Sequence, residues 1–427
     1  MRSAKAVIDT IQSRRSIGRT GVLNARRLLD EMGLEPAAPV IHVAGTNGKG
    51  SVCAMLERTL RAAGYRTGLY TSPFLQVYNE RIRVNGVPVS DAEIEASGNP
   101  VLDLAEKLDT EGVRCSFFEL GTAMALDVFR RAETDVIVLE TGLGGKLDAT
   151  NAVRRPAVCA ITAIGLDHMD LLGNTLPEIA AEKAGIIKEK VPVVCQIAPP
   201  EVERVFAETA ADRHAPLTQA KAEWIRNARV GLRGSTADFF ADGVVWEGLE
   251  VGLPGEHQTA NALTALCVIN RLREAGLAIP DTAVKNGIKK AEWPGRLEWR
   301  GNLLMDGAHN EQGMRALKRY IDMWRGKGAK VLLTGVMADK LTEPMLDVMA
   351  SAADEAVTVR PDNPRSMTAE ALRDSLRAHG LRARAASGTE EGLLLARASA
   401  GEDGIVIAAG SLYFIGELRT LTDAGAR

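Results

Sequence analysis

The sequence lacks an excess of positive charge, a long apolar run and a paired set of cysteines, and each absence closes a class of function. Its formal net charge is −3, which leaves no basic face for nucleic acid and no basic tail for a membrane. No uninterrupted apolar stretch reaches the roughly 18 residues of a membrane span. The N-terminus "MRSAKAVIDTIQSRRS" lacks the apolar centre of a signal peptide, so a cytoplasmic protein is expected. Five cysteines (Cys53, Cys115, Cys159, Cys195, Cys267) are scattered, odd in number and form no C-x-x-C. Reduced, buried and inert thiols follow. The short basic runs "RRSIGR" and "RVNG" are mixed with other residue types and read as solvated surface.

What is present is ordinary globular material, 46% hydrophobic and 25% charged over 427 residues, a length that calls for two domains. The first half alternates strand-like and helical runs. "PVIHVAG", "RTGLYTS", "TDVIVLETG", "PAVCAITAIG" and "VPVVCQI" are apolar along their whole length. Such strands belong to a parallel sheet covered by helices on both faces. Helices are expected over about Ser51 to Gly64, about Glu119 to Ala132 and in "TLPEIAAEKAGIIK", with a breaker at "SGNP", Ser97 to Pro100. From Glu223 to Glu256 short alternating runs predict a small antiparallel patch. "EWPGRLEWRGN" marks a junction, after which "LLMDGA", "KVLLTGVM", "EAVTVRP" and "GIVIAAG" restart the alternation. The fold class is therefore α/β, a P-loop parallel sheet with a small antiparallel patch over residues 1–295. A smaller Rossmann-like α/β domain over 298–427 follows it.

The segment "VIHVAGTNGKGSVCAML" is an apolar strand, a glycine-rich turn and a helix start. In such a turn backbone N–H groups can face a phosphate and the helix adds partial positive charge. Lys49 would neutralise β- and γ-phosphates and a hydroxyl would help hold Mg²⁺. The match to G-x-x-x-x-G-K-[ST] is imperfect, because two residues separate Gly45 from Gly48 and Gly50 precedes Ser51. A tight turn without phosphate is the competing reading. Ligands in open parallel sheets gather at the carboxyl ends of strands. Ser72, Glu140 and His168 end or follow such strands. Glu140 closes a run so apolar that its burial asks for a nearby cation. A histidine after a strand is more often an ordinary hydrogen-bonded one.

The stretches "GTNGKGS", "TSPFLQVYNERI", "FFELGTAMA", "LETGLGGKLDATN", "GLDHMDLLGNTLPEIAAEKAGIIK", "LPGEHQTANALTAL", "WPGRLE", "DGAHNEQG" and "GSLYFIGE" stand in the order and spacing of one family. Over about residues 10 to 420 the chain resembles the folylpolyglutamate synthase/dihydrofolate synthase family of the Mur ligase superfamily. The resemblance implies an ATP-dependent amide ligase that joins L-glutamate to (tetrahydro)folate polyglutamate and to dihydropteroate through an acyl phosphate. It implies ATP contacts from Gly45, Thr46, Asn47, Gly48, Lys49, Gly50, Ser51, Asn261, Arg296, Asp306 and His309, the second domain closing over the nucleotide. Of these, His309 is equally well read as making a local hydrogen bond. Two Mg²⁺ ions are implied, one by Ser51 and Glu140, another by Ser72, Glu140 and His168; a monovalent cation is also admitted. Lys183 falls where the family carries a carbamylated lysine, with a plain ion-paired lysine as the other reading. Lys49, Lys183, Glu140 and His168 are the implied catalytic set.

A pterin or folate pocket is implied at Ser116, Phe117, Phe118 and Glu119 and at Leu147, Asp148 and Ala149, although both phenylalanines could equally be core. Three departures stand out. Arg154 and Arg155 follow "DATN", where an extra cation could hold a glutamate tail. Leu341 replaces an acid after Asp339 and Lys340. "SGNP" has no functional reading. Related Mur ligases acting on other carboxylates remain the alternative, and cell-wall members place a UDP-sugar domain ahead of the P-loop. Only 44 residues precede Gly45 here, too few for one. A nucleotide switch without ligase chemistry would not need Glu140, His168 and Lys183 together. A monomer without nucleic-acid or membrane partners is expected, its substrates being folate or dihydropteroate, L-glutamate and ATP.

Overall fold

A computed structural model describes residues 1–14 and 22–424; of the "RRSIGR" run only Arg14 falls within them. The chain divides into two compact units. The first comprises residues 1–229, 236–252 and 258–292, and the second residues 230–235, 253–257 and 293–427. Two short segments of the antiparallel region thus group with the second unit, which a contiguous partition at 295 does not provide. The reason is local: the turn residue Leu232 packs with the second unit's core, and the Tyr320 hydroxyl donates to its carbonyl at 2.7 Å.

The first unit is built on eight strands: β1 (Val40–Ala44), β2 (Thr67–Tyr70), β3 (Ile82–Val84), β4 (Val87–Pro88), β5 (Val136–Glu140), β6 (Val158–Ile161), β7 (Val193–Cys195) and β8 (Leu217–Gln219). Their order across the sheet is β4-β3-β2-β5-β1-β6-β7-β8. All neighbours are parallel except β2–β3 and β3–β4. Ile137 and Leu139 of β5 pack into a core with the helices Ala4–Ser13, Leu23–Met32, Asp91–Thr110 and Phe117–Arg131. The alternate residues Val136 and Val138 are buried as well. A strand alternates its side chains, so β5 is covered on both faces, as its unbroken apolar run requires. β9 (Ile225–Gly231), β10 (Gly234–Ala241) and β11 (Val244–Val251) form the expected three-stranded antiparallel patch. β12 (Glu298–Arg300), β13 (Leu303–Met305), β14 (Lys330–Thr334), β15 (Glu355–Thr358), β16 (Arg382–Ala385) and β17 (Ile405–Ala409) make the second unit's sheet. Its order is β12-β13-β17-β14-β15-β16, parallel apart from edge strand β12. All five cysteines are free and buried. Among the described residues no helix is long and apolar enough to cross a membrane.

Two element boundaries differ from the expectation. "TLPEIAAEKAGIIK" is helical only over Leu176–Ala184 and stops at Gly185. "SGNP" does not break the chain: one helix runs through Asp91–Thr110 with Pro100 inside it. Pro100 removes an interior N–H, but tertiary contacts hold the turn. Asn99 accepts from the Arg2 amide at 2.7 Å and donates to the Arg2 and Glu95 carbonyls at 2.9 Å each. Gly98 lets the helix Ala4–Ser13 approach, since a β-carbon there would stand 2.3 Å from Val7 Cγ1.

Helix propensity favours alanine over glycine by about 1 kcal/mol, whereas overpacking a buried contact costs about 1–3 kcal/mol. Val7 is fully buried and β-branched, so the steric effect dominates. Gly98→Ala lowers the thermal unfolding midpoint; a raised midpoint would mean that the N-terminal helix is free to shift.

Candidate active site

The register of three strands assembles the site. Val43 of β1 aligns with Glu140 of β5 and with Ala160 of β6, so the chain leaves the sheet at Gly45 with an acid one strand away. Thr46 and Asn47 donate their amides to the Ala163 carbonyl, at 2.9 and 3.2 Å. These two N–H groups therefore tie the loop to the segment after β6 and do not turn inward. The amides left for an anion are those from Gly48 onward, in the first turn of the helix Lys49–Ala62, which have no intrahelical carbonyl to bond. Gly48 has φ of 90°, and a β-carbon there would lie 2.5 Å from Asn261 Oδ1, so the loop sits directly on Asn261.

A chain of side-chain amides fixes that contact. Gln196 Nε2 donates to Asn261 Oδ1 at 2.9 Å, and Asn261 Nδ2 donates to Gln258 Oε1 at 2.8 Å. Gln258 Nε2 then donates to Ser51 Oγ at 3.2 Å. Neither glutamine was identified from sequence. Gln258 lies three residues before Asn261 in "HQTANA", the spacing that puts two side chains on one helix face, which was the available signal. Gln196 carried none.

Two lysines converge on one oxygen. Lys49 Nζ donates to the Gly45 carbonyl at 3.0 Å and to that of Thr46 at 3.3 Å. Lys183 Nζ, buried in the helix Leu176–Ala184, donates to the same Gly45 carbonyl at 2.9 Å. Burial and then the nearby Lys49 charge lower the Lys183 amine to a pKa of about 7, against the pull of Asp167, Asp148 and Glu182.

The acids are held differently. Glu140 is 4% exposed, and its Oε2 accepts the Ser72 amide at 3.2 Å. Asp148 accepts the amides of Gly142, Leu143 and Thr150 at 2.8 to 3.0 Å and the Thr150 hydroxyl at 2.5 Å. Burial nonetheless raises its pKa. The Thr150 hydroxyl uses its one hydrogen in the bond to Asp148, so His42 Nε2, 2.8 Å away, is the donor to that oxygen. His42 is neutral, its pKa lowered to about 3 by burial. His168 sits at the entry of a short helix with φ of 52°. Its imidazole is 41% exposed, with Nε2 3.9 Å from Asp167 Oδ1. Asp167 was not singled out from sequence, although "GLDH" contains it.

The pocket segments come together only in part as expected. Phe118 lies against Gly142, whose amide binds Asp148, so "SFFE" and "LDA" do meet. Ser116 and Glu119, however, use their polar atoms on each other's backbone as a capping box at the start of Phe117–Arg131. Leu147 is exposed and Ala149 buried. Arg154 pairs with Asp30 and Glu35 at 2.6 and 3.2 Å, so an intramolecular ion pair accounts for this departure. Arg155 is exposed.

In the second unit, Asp306 accepts the amides of Leu297 and Ala308 at 2.9 Å each, and burial raises its pKa. Arg296 comes close enough to the backbone of Gly307 that a β-carbon there would stand 2.6 Å from Nη1. His309 Nδ1 lies 2.8 Å from the Gly307 carbonyl, a local bond. Asp339 pairs with Arg365 at 3.3 Å on the surface. Among the described residues no group of three or more His, Cys, Asp or Glu side chains is arranged to hold a metal.

Comparison with known proteins follows these positions. Residues 43–269 match the Mur ligase middle domain and residues 295–412 the Mur ligase glutamate ligase domain. The dihydrofolate synthase/folylpolyglutamate synthase of Bacillus subtilis is 35% identical over 408 residues, covering 93% of this chain and 94% of that protein. The structure of Escherichia coli FolC in complex with DHPP and ADP superposes with a TM-score of 0.88 at 30% identity, over 100% of this chain and 99% of that one. Mycobacterium tuberculosis folylpolyglutamate synthase complexed with ADP gives 0.90 at 30% identity, over 98% of each. By the match of both domain models and the agreement with these relatives along nearly its whole length, the chain belongs to the folylpolyglutamate synthase/dihydrofolate synthase family of Mur ligases.

Proposed function

We propose that this protein is an ATP-dependent ligase that adds L-glutamate to tetrahydrofolate polyglutamate and to dihydropteroate. The observation that carries the reading is the convergence of Lys49 and Lys183 on Gly45, one strand from the buried carboxylate of Glu140. A carboxylate oxygen of the acceptor attacks the γ-phosphorus of ATP, the bond to the β-phosphate oxygen breaks, and ADP leaves an acyl phosphate. The glutamate amine then attacks the acyl carbon, phosphate departs with the C–O bond electrons, and the amine loses a proton. The first step drives one anion against another. Lys49 and the first-turn amides from Gly48 to Ser51 offset that charge, as phosphoryl transfer requires.

The donor set fits Mg²⁺. That ion takes one or two carboxylates and completes its shell with water and substrate phosphates, so a cluster of three acids is not needed. Ser51 and Glu140 would hold one ion, and Ser72, Glu140 and His168 a second; when bound, Mg²⁺ neutralises the phosphates. Asn261, Arg296 and Asp306 are assigned to ATP, Arg296 by the bidentate fit of guanidinium to phosphate. Phe117 and Phe118, with Leu147, Asp148 and Ala149, are assigned to the pterin. Ser116 and Glu119 support that segment as its helix cap.

Lys183 is assigned as a carbamate. Its neutral amine adds CO₂, forming an N–C bond and releasing a proton, and the product is an anion suited to a magnesium site. Only the unprotonated amine reacts, and a pKa of about 7 makes that form abundant at neutral pH. In CO₂-depleted buffer, turnover is expected to fall, and added bicarbonate to restore it more fully above pH 7 than below. A ¹³C-carbamate signal from labelled bicarbonate should vanish in Lys183→Ala, with turnover reduced on the order of 10²-fold or more. Full activity of Lys183→Ala would refute the assignment.

The acceptor range is tested by phosphate release with ATP, Mg²⁺ and L-glutamate, offering dihydropteroate and tetrahydrofolate separately. Turnover with both is expected. Turnover with tetrahydrofolate alone would remove the dihydropteroate activity, and none with either, from protein that binds ATP, would overturn the ligase reading.

A further inference from the structure

The motif "YNERI" holds a charge that the reaction scheme leaves unused. Arg81 ends the short 3₁₀ turn Tyr78–Arg81, and its carbonyl accepts the Thr71 amide at 2.9 Å. Its backbone is thereby fixed beside Ser72. Its side chain is 6% exposed and enclosed by aromatic faces. The guanidinium carbon lies 5.4 Å from the Phe74 ring centre, 5.6 Å from Tyr78 and 5.1 Å from Phe117. Nε and Nη1 are buried without a hydrogen-bond partner, and the side chain reaches the Tyr70 hydroxyl. Among the described residues no carboxylate pairs with it.

Such an arrangement is expensive. Arginine stays charged under all ordinary conditions, and a buried charge without a counter-ion or full hydrogen bonding is strongly disfavoured. Cation–π contacts recover part of that energy, but they leave Nε and Nη1 unmet. The surroundings are also those of the assigned acceptor pocket. The Phe117 and Phe118 rings are 6.1 Å apart, and Phe118 is 5.8 Å from Tyr70 and against Gly142. Phe74 and Phe117 are themselves only partly buried, so the guanidinium is one ring away from solvent.

We infer that Arg81 is a binding residue for a carboxylate of the acyl acceptor, its donors held desolvated and unpaired for that anion. The inference rests on the ligase reading and adds to it the group that receives the acceptor's negative charge. An aromatic cage favours a planar acceptor beside the cation, while the guanidinium fork matches a carboxylate.

The test is steady-state kinetics of wild type, Arg81→Met and Arg81→Lys, with KM measured separately for acceptor, ATP and L-glutamate. A charged hydrogen bond of the usual strength corresponds to more than tenfold. In Arg81→Met the acceptor KM is expected to rise at least about tenfold while that for ATP stays within about twofold; Arg81→Lys, which keeps a point charge, falls between. An equal rise for dihydropteroate and tetrahydrofolate assigns Arg81 to the reacting carboxylate. A rise for tetrahydrofolate alone assigns it to a carboxylate of the folate's glutamate. Unchanged acceptor KM, a parallel rise for all substrates or a rise for L-glutamate alone would overturn the inference. If Arg81→Met does not fold, Arg81→Lys decides by the same comparison. Wild-type silence with both acceptors would overturn the ligase reading first, and this inference with it.

Discussion

Two amines share one carbonyl oxygen at the centre of this site, and the surrounding structure is arranged around that conflict. Lys49 and Lys183 both donate to Gly45, at 3.0 and 2.9 Å. Two ammonium groups that close repel, and the repulsion is strongest away from water. Lys183 is the more deeply buried of the two, and burial first, then the neighbouring Lys49, lowers its amine to about 7. The neutral amine can remain a hydrogen-bond donor where a second cation could not remain. The shared acceptor thus brings together two lysines from distant parts of the sequence, one of them deeply buried.

That oxygen is fixed by parts distant in sequence. The strand β1 delivers Gly45 between β5 and β6, and the Ala163 carbonyl takes the next two amides. From the other side, Asn261 bears on Gly48 while Gln196 and Gln258 set its amide orientation. The relay from His42 through Thr150 to Asp148 serves the neighbouring loop in the same way, its proton order set by the 2.5 Å hydroxyl–carboxylate bond. Preorganisation of this kind is what electrostatic catalysis depends on.

The sequence made the strand–turn–helix, the two α/β sheets and the strand-end acids readable, because periodicity and turn chemistry are local signals. The parts it hid are those where a distant partner decides. "SGNP" carries every local mark of a break, yet Arg2 and Val7, about ninety residues earlier, keep the helix intact. The glycine turn at Gly45 suggests inward amides, and only the position of Ala163 shows that two of them face away. Ser116 and Glu119 form a capping box whose spacing is visible in "SFFE"; the functional resemblance masked that simpler role. Gln196 and Arg81 gave no signal, since an amide after a strand and an arginine in a charged tetrapeptide are commonplace until their burial is known.

A site for anionic substrates that also contains buried acids risks quenching itself with internal ion pairs, and this chain avoids them by a consistent division of partners. In the first unit Glu140 accepts the Ser72 amide, and Asp148 accepts those of Gly142, Leu143 and Thr150. The basic groups are held by uncharged partners, Lys49 and Lys183 by carbonyls and Arg81 by ring faces. Among the described residues none of these three makes an ion pair, whereas arginines on the surface pair freely, as Arg154 does with Asp30. Had Lys49 met Glu140 directly, phosphate would have to break a buried pair, and removing one partner of such a pair costs about 3–5 kcal/mol. The division keeps the first unit's buried acids and its amines from pairing with one another.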